Sequence, residues 1–138
     1  MILKVLSIAG SDPSGGAGVQ ADLKTFSALG VYGMSVITAL TAQNTKGVSA
    51  VEMVAPEFFR AQLDAIFDDV AVHAIKIGMI GTAENAHVIA DTIEKYKPSN
   101  VVLDPVMVAT SGDSLVSNDA VEAIKTRLIP LADVITPN

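Results

Sequence analysis

The stretch from Lys4 to Gly30 reads KVLSIAGSDPSGGAGVQADLKTFSALG, and the interpretation of its middle decides the fold. The leading KVLSIAG is rich in Val, Leu and Ile, is bounded by Gly10 and is too short for a stable helix, which predicts a buried strand. After the glycines, Val19, Leu23, Phe26 and Leu29 recur at helical spacing, and Gly30 stands where a C-terminal cap belongs. The opening unit is therefore strand, loop, helix. Within the loop, Gly16, Gly18 and Ala21 fit the G-x-G-x-x-A pattern of dinucleotide-binding turns. That pattern also requires an acidic side chain roughly 20 residues on, at the end of the next strand, to hold ribose hydroxyls. The next strand ends in Thr41-Ala42-Gln43-Asn44 with no carboxylate, and Ser11-Asp12-Pro13-Ser14-Gly15 makes a longer loop than the motif's tight turn. A nicotinamide dehydrogenase is thus disfavoured. A P-loop fits no better, since no Gly-Lys-Ser or Gly-Lys-Thr follows the glycines.

Further along, Gly33 to Ala42 reads as a second strand and Val48 to Val54 as a shorter one, before Pro56 opens a helix at its first turn. In that helix Phe59, Leu63, Ile66, Phe67 and Val70 form an apolar stripe, with Arg60, Asp64 and Asp68 toward water. His73 to Ile77 predicts another strand, and Thr82 an N-cap for a helix that buries Ala86, Ile89, Ala90 and Ile93 and closes at Pro98. Val101 to Leu103 follows as a strand. Ser117 caps a further helix carrying Val121, Ile124 and Leu128, which Pro130 should stop, and Asp133 to Thr136 begins a last strand. Alternating strands and helices argue for an α/β fold with a mainly parallel sheet, because parallel neighbours need crossover connections. Ligands bind such sheets outside the carboxyl ends of the strands. The loops to weigh are therefore Gly10 to Gly18, Gln43-Asn44, Gly78-Met79, Asp104-Pro105 and Thr136 to Asn138.

The chain has 138 residues, enough for a single domain with one core. Half of them are hydrophobic and only 4% aromatic, as in sheets packed with Ala, Val, Ile and Leu. With 15 acidic against 9 basic residues and no basic run, nothing offers a nucleic-acid footprint. Apolar runs break before the ~18 residues of a membrane span, and Met1-Ile2-Leu3-Lys4 lacks the layout of a signal peptide, so the expectation is a cytoplasmic protein. Without cysteine there is no disulfide framework, thiolate nucleophile or cysteine metal site. His73 and His87 read as ordinary partly exposed histidines, since no second His or Cys stands at metal spacing.

Several motifs in order carry a resemblance. The string AGSDPSGGAGVQADLKTF, then ALTAQNTKGV, IKIGMIG, VVLDPVMVATSG and ITPN resembles the hydroxymethylpyrimidine and phosphomethylpyrimidine kinases of thiamin biosynthesis, within the ribokinase-like superfamily. It covers essentially the whole chain. The fold it implies is a three-layer αβα sandwich around a mostly parallel sheet, here the amino-terminal part of one kinase domain over residues 1–138. The activity it implies is ATP- and Mg²⁺-dependent phosphoryl transfer to 4-amino-5-hydroxymethyl-2-methylpyrimidine and then to its monophosphate, a phosphotransferase with an alcohol or phosphate acceptor. A homodimer is compatible with the family.

The resemblance assigns roles that the residues themselves support unequally. Gln43 offers a donor and an acceptor together, as an aminopyrimidine edge requires, although alone it reads equally as a turn amide. Met79 is either a thioether against a ring or a core plug at a strand end. Asp22 is either beside the pyrimidine or simply favoured by the macrodipole near a helix start. Gly10, Ala17 and Gly18 would let the backbone approach a ligand closely. Asp104, before a proline at the end of a central strand, suits Mg²⁺ or its waters, or a turn. Asn138 matches the entry to the magnesium and nucleotide region.

Family members are considerably longer, and the anion hole, the catalytic base, commonly a cysteine, and most of the adenine pocket are expected beyond Asn138. Phosphoryl transfer depends on positioning and on stabilising charge, so the expectation is a substrate-binding half that is inactive alone. Its last strand would leave an unfilled edge. A pyridoxal or pyridoxine kinase would use much the same loops, and a noncatalytic pyrimidine-binding module is the rival of another class.

Overall fold

The computed structural model describes residues 1–107 and 116–137. Asn138 and the end of the VVLDPVMVATSG motif lie outside them. Strand β1 (Lys4–Ala9) is followed by helix α1 (Gly18–Ala28), β2 (Tyr32–Ile37), β3 (Ala39–Asn44), β4 (Gly47–Met53) and α2 (Pro56–Phe67). Then come β5 (Ala74–Ile77), α3 (Ala83–Tyr96), β6 (Val101–Leu103), α4 (Asn118–Ala123) and β7 (Val134–Ile135).

Five strands form one sheet in the order β2-β1-β5-β6-β7, and every pairing in it is parallel. The chain steps from β1 to one side for β2, then crosses back to build the other half from β5 onward. The crossing makes the carboxyl ends of β1 and β5 a topological switch point, where open α/β sheets form their crevice. Helix α1 covers one face: a Cβ at Gly33 would press on Leu23 and Phe26. On the other face Leu6, Ile8, Val36, Ile75 and Ile77 join Phe59 and Leu63 of α2, Ile89 of α3 and Ile124 and Leu128 beyond α4 in one buried core. Helix, sheet, helix is the expected three-layer sandwich.

Helix ends follow the local chemistry. Gly30, at φ +73°, closes α1 in the left-handed conformation. Thr82 and Ser117 cap α3 and α4, their hydroxyls accepting from the backbone N–H of Asn85 and Ala120. Pro130 does not stop the last helix. After Ala123 the winding continues as a π-type turn, Ile124–Leu128, and a 3-10 turn, Ile129–Leu131. Proline is tolerated there because it sits in the first turn of the 3-10 segment, where its missing N–H has no partner to lose.

The segment Gly33 to Ala42 is not one strand. It breaks at Thr38 into β2, which belongs to the parallel sheet, and β3, which pairs antiparallel with β4 as a separate two-stranded hairpin. At the break the Gln62 carboxamide takes both backbone groups of Ile37, accepting from its N–H at 3.0 Å and donating to its carbonyl at 3.0 Å. Thr38 then satisfies three elements at once. Its N–H donates to Ala9 O at 3.0 Å, its carbonyl accepts from Val54 N at 3.0 Å, and its hydroxyl donates to Met79 O at 2.8 Å. The side chains, not a glycine or proline, turn the strand out of the sheet.

Phe59 is fully buried between α2 and the sheet. Phe59→Ala should lower stability by about 3–5 kcal/mol, and Thr82→Ala by about 1 kcal/mol through the lost cap, both read from urea unfolding midpoints.

Candidate functional site

The hairpin hangs over the carboxyl edge of the sheet, and its orientation is fixed by the glycine loop. Ser11 N–H donates to Ala39 O at 2.9 Å, Thr41 N–H donates to Ser11 Oγ at 3.0 Å, and Thr41 Oγ1 donates to Ser11 O at 2.7 Å. Along β3 Leu40, Ala42 and Asn44 are exposed, while Ala39, Thr41 and Gln43 turn inward by the two-residue period of a strand. A register shift between Ala42 and Gln43 leaves Ser49 as the extra residue on β4, its hydroxyl donating to Ala42 O at 3.0 Å. Such bulges re-aim a neighbouring side chain. Gln43 thereby faces the loop and the strand ends, with Thr41 Oγ1 3.3 Å from its Oε1.

Beneath it lies a cavity of about 270 Å³ whose wall includes Gln43, Met79, Asp22, Gly10, Ala17, Gly18 and Asp104. All the site residues expected from the sequence, except Asn138 outside the described residues, converge on this one space. Its position is the switch point between β1 and β5. A second, larger hollow of about 470 Å³ lies between the glycine loop and the hairpin turn and shares Ala17 and Gln43 with the first.

Close packing explains the small residues. A Cβ at Gly10 would come within 3.0 Å of Met79 Sδ, and one at Gly18 would strike the carbonyl oxygen of Gly10. Gly18 also sits at φ +60°, which side chains rarely adopt. Met79 is half-buried against Gly10, facing the cavity.

Asp22 is not a first-turn carboxylate on the helix dipole. It lies in the second turn of α1, and its Oδ2 accepts from Ser7 Oγ at 2.6 Å and from Lys76 Nζ at 3.0 Å. Ser7 and Lys76 are register partners on β1 and β5. Neither was singled out from the sequence, yet both are polar residues inside apolar strands, SIAG and HAIKI, on the face opposite the core. A lysine flanked by two buried isoleucines in a parallel strand was the available signal. Lys76 also lines the cavity, so an ion pair forms part of its floor.

Asp12 was missed as well. Its buried carboxylate accepts from Ser14 N–H at 2.8 Å, Ser14 Oγ at 2.7 Å, Gly16 N–H at 3.1 Å and Ala17 N–H at 2.8 Å. The Ser14 hydroxyl is the main influence holding its pKa below the usual 3.8; burial opposes this, and the three backbone donors reinforce it. These bonds spend on Asp12 the N–H groups that a phosphate cradle would need. The signal was an aspartate two residues before a serine in a glycine-rich turn, the pattern of an Asx-turn.

Asp104 stands half-buried at the carboxyl end of β6, which is flanked by β5 and β7. Among the described residues no three His, Cys, Asp or Glu side chains cluster as a metal site. His73 Nδ1 accepts from Lys4 N–H at 3.1 Å, and His87 sits exposed beside Arg127, its Nδ1 3.1 Å from the guanidinium. Neither reaches the cavity. Among the described residues no helix is long and apolar enough to cross a membrane.

Two outcomes test this geometry. Replacing Asp22 by Ala leaves the Lys76 ammonium at the cavity floor without its carboxylate, which should cost about 1.5–3 kcal/mol; in urea unfolding the loss should shrink when Lys76→Met is added, as expected of coupled neighbours. Because the Asp12 pKa is lowered on folding, its stabilisation is complete above the unfolded value of about 3.9 and is lost as pH falls through the folded value. Asp12→Asn should therefore flatten the acid limb of stability against pH.

Comparison with known proteins places the chain in a family. Residues 12–138 match the family model for phosphomethylpyrimidine kinase. The hydroxymethylpyrimidine/phosphomethylpyrimidine kinase of Rhizobium meliloti is 62% identical over 133 residues, covering 96% of this chain and 50% of that protein. The crystal structure of phosphomethylpyrimidine kinase from Clostridium difficile superposes with a TM-score of 0.92 at 54% identity, covering 99% of this chain and 59% of that one. Pyridoxal kinase from Staphylococcus aureus in complex with pyridoxal gives 0.89 at 39% identity, covering 100% and 51%. The chain spans about half the length of the curated relatives it matches. With its glycine loop, hairpin glutamine and strand-end methionine arranged around one cavity in the fold of these kinases, the chain belongs to the phosphomethylpyrimidine kinase family.

Proposed function

We propose that this chain carries the acceptor-binding half of an ATP-dependent kinase. The kinase phosphorylates the hydroxymethyl group of 4-amino-5-hydroxymethyl-2-methylpyrimidine and then the resulting monophosphate, in thiamin biosynthesis. The observation that carries this reading is the convergence of Gln43, Met79 and Asp22 on one cavity of about 270 Å³ at the switch point. Gln43 presents both ends of a carboxamide to a ring nitrogen and its adjacent amine. Met79 supplies a polarizable face for the ring, and Gly10, Ala17 and Gly18 let the backbone close on its other side.

Asp104 fits a Mg²⁺ ion held largely through water, since Mg²⁺ takes one or two carboxylates together with its waters and substrate phosphates rather than a full protein cage. A bound Mg²⁺ supplies neutralisation of the transferring phosphate charge. Asn138 belongs to the nucleotide side. The matched region makes up about half of such a relative, and in this reading the other half holds the anion hole and base, so that the 138-residue chain binds acceptor but does not turn over. The protein is cytoplasmic, and its full-length form is compatible with a homodimer.

The likeness to a pyridoxal kinase bound to pyridoxal supports a second reading, in which the acceptor is a pyridine aldehyde. Calorimetry on this chain separates the two. The aminopyrimidine should bind more tightly than pyridoxal, and Gln43→Ala should weaken it about tenfold, the equivalent of 1.4 kcal/mol. Unchanged aminopyrimidine affinity in Gln43→Ala would overturn the assignment of the glutamine, and preferential binding of pyridoxal would favour the second reading. Steady ATP turnover by the purified chain would overturn the division of labour.

A further inference from the structure

The loop between β1 and α1 closes around a single side chain. Asp12 is 2% exposed, and both of its carboxylate oxygens are occupied. Oδ1 accepts from the backbone and hydroxyl of Ser14, and Oδ2 from the backbone of Gly16 and Ala17. Its own N–H donates to Gln20 Oε1 at 2.8 Å, and its carbonyl accepts from Gly15 N–H at 2.9 Å. Gly15, at φ +82°, and Gly18, at φ +60°, give the backbone the reversals that bring these donors together. Neighbouring N–H groups curled toward one point in this way resemble a nest of the kind that binds an external anion. Here the chain supplies the anion itself, through charge-assisted bonds of the stronger class. The last donor of the nest, Ala17, and the next residue, Gly18, are both wall residues of the cavity.

We propose that Asp12 is a positioning residue: an internal anion that fills the nest of the glycine loop and thereby holds Ala17 and Gly18 where a flat ring can lie against them. Loop and ligand are linked through the backbone alone, since the carboxylate is spent on N–H and O–H donors. The ligand arm of the test rests on the pyrimidine reading above; the anion arm does not. Removing the carboxylate leaves an unfilled nest of the right size for the group removed. Asp12→Ala deletes a carboxylate, and formate replaces it without the chain.

The experiment uses ¹⁵N-labelled protein with formate as probe. In Asp12→Ala the amide signals of Ser14, Gly16 and Ala17 should shift saturably with formate, at ionic strength held constant with chloride, while the unmodified chain shows no such response. Aminopyrimidine affinity should fall at least tenfold in the variant and recover in saturating formate, which a loss of general stability does not predict. A folded variant whose three amides ignore formate, or whose ring affinity is unchanged, would overturn the proposal. If the unmodified chain binds no aminopyrimidine, the functional reading fails while the formate response still decides the role of Asp12. Should the variant fail to fold, an acid titration of the unmodified chain takes its place. The same three amides should move together with one midpoint below 3.8, the ordinary aspartate value. Lys24 also faces the loop, its Nζ donating to Gly15 O at 2.9 Å. Independent movement of the three amides would then overturn the proposal.

Discussion

Thr38 is where the parallel sheet gives up a strand to build a site. Its three polar groups are divided among the end of β1, the end of the hairpin and the turn that carries Met79. Because the residue is fully buried, none of these bonds can be traded for water without leaving a polar group unpaired, which costs more than the bond itself contributes. The chain is held to a single exit path. From that path follow the hairpin's place above the sheet edge, the inward face of β3 and the approach of Gln43 to residues distant from it in sequence. Gln62 makes the exit sharp by occupying the last backbone pair of β2.

The site is an assembly of three kinds of support. The sheet supplies fixed strand ends, with Met79 after β5 and Asp104 after β6. Helix α1 supplies Asp22, tethered across to Ser7 and Lys76, so the helix is tied to two strands through one carboxylate oxygen. The hairpin supplies Gln43, fastened to the glycine loop through Ser11 and Thr41. Two of the three Ser11 bonds to β3 use its backbone atoms, which makes the docking depend on the loop's path more than on the side chain at that position.

Much of this was legible in the sequence. Apolar runs marked the parallel strands, helical spacing marked α1 to α3, and Thr82 and Ser117 announced the caps of α3 and α4. Of the residues that line the cavity, Gly10, Met79 and Asp104 stand directly after strands, where such sheets bind ligands, whereas Gln43 within β3 and Asp22 within α1 were picked out by the family resemblance. What escaped were contacts made by polar residues across long separations. The strand Gly33 to Ala42 looked continuous because GMSVITALTA contains no breaker at Thr38; the break is made by partners at Gln62 and Met79. Asp12 and Lys76 escaped for the same reason, each being read as loop or strand until its partners came into view.

The ion pair at the cavity floor has an electrostatic corollary. Lys76 is the ammonium among the described residues of the cavity wall, and Asp22 holds it at 3.0 Å, while Asp104 adds a second carboxylate. The cavity therefore carries a formal excess of negative charge within a chain of net charge −6. A neutral aromatic ring enters such a space without penalty, but a phosphorylated one brings charge of the same sign, and like charges in a partly desolvated space repel strongly. The described wall by itself therefore favours a neutral occupant over an anionic one.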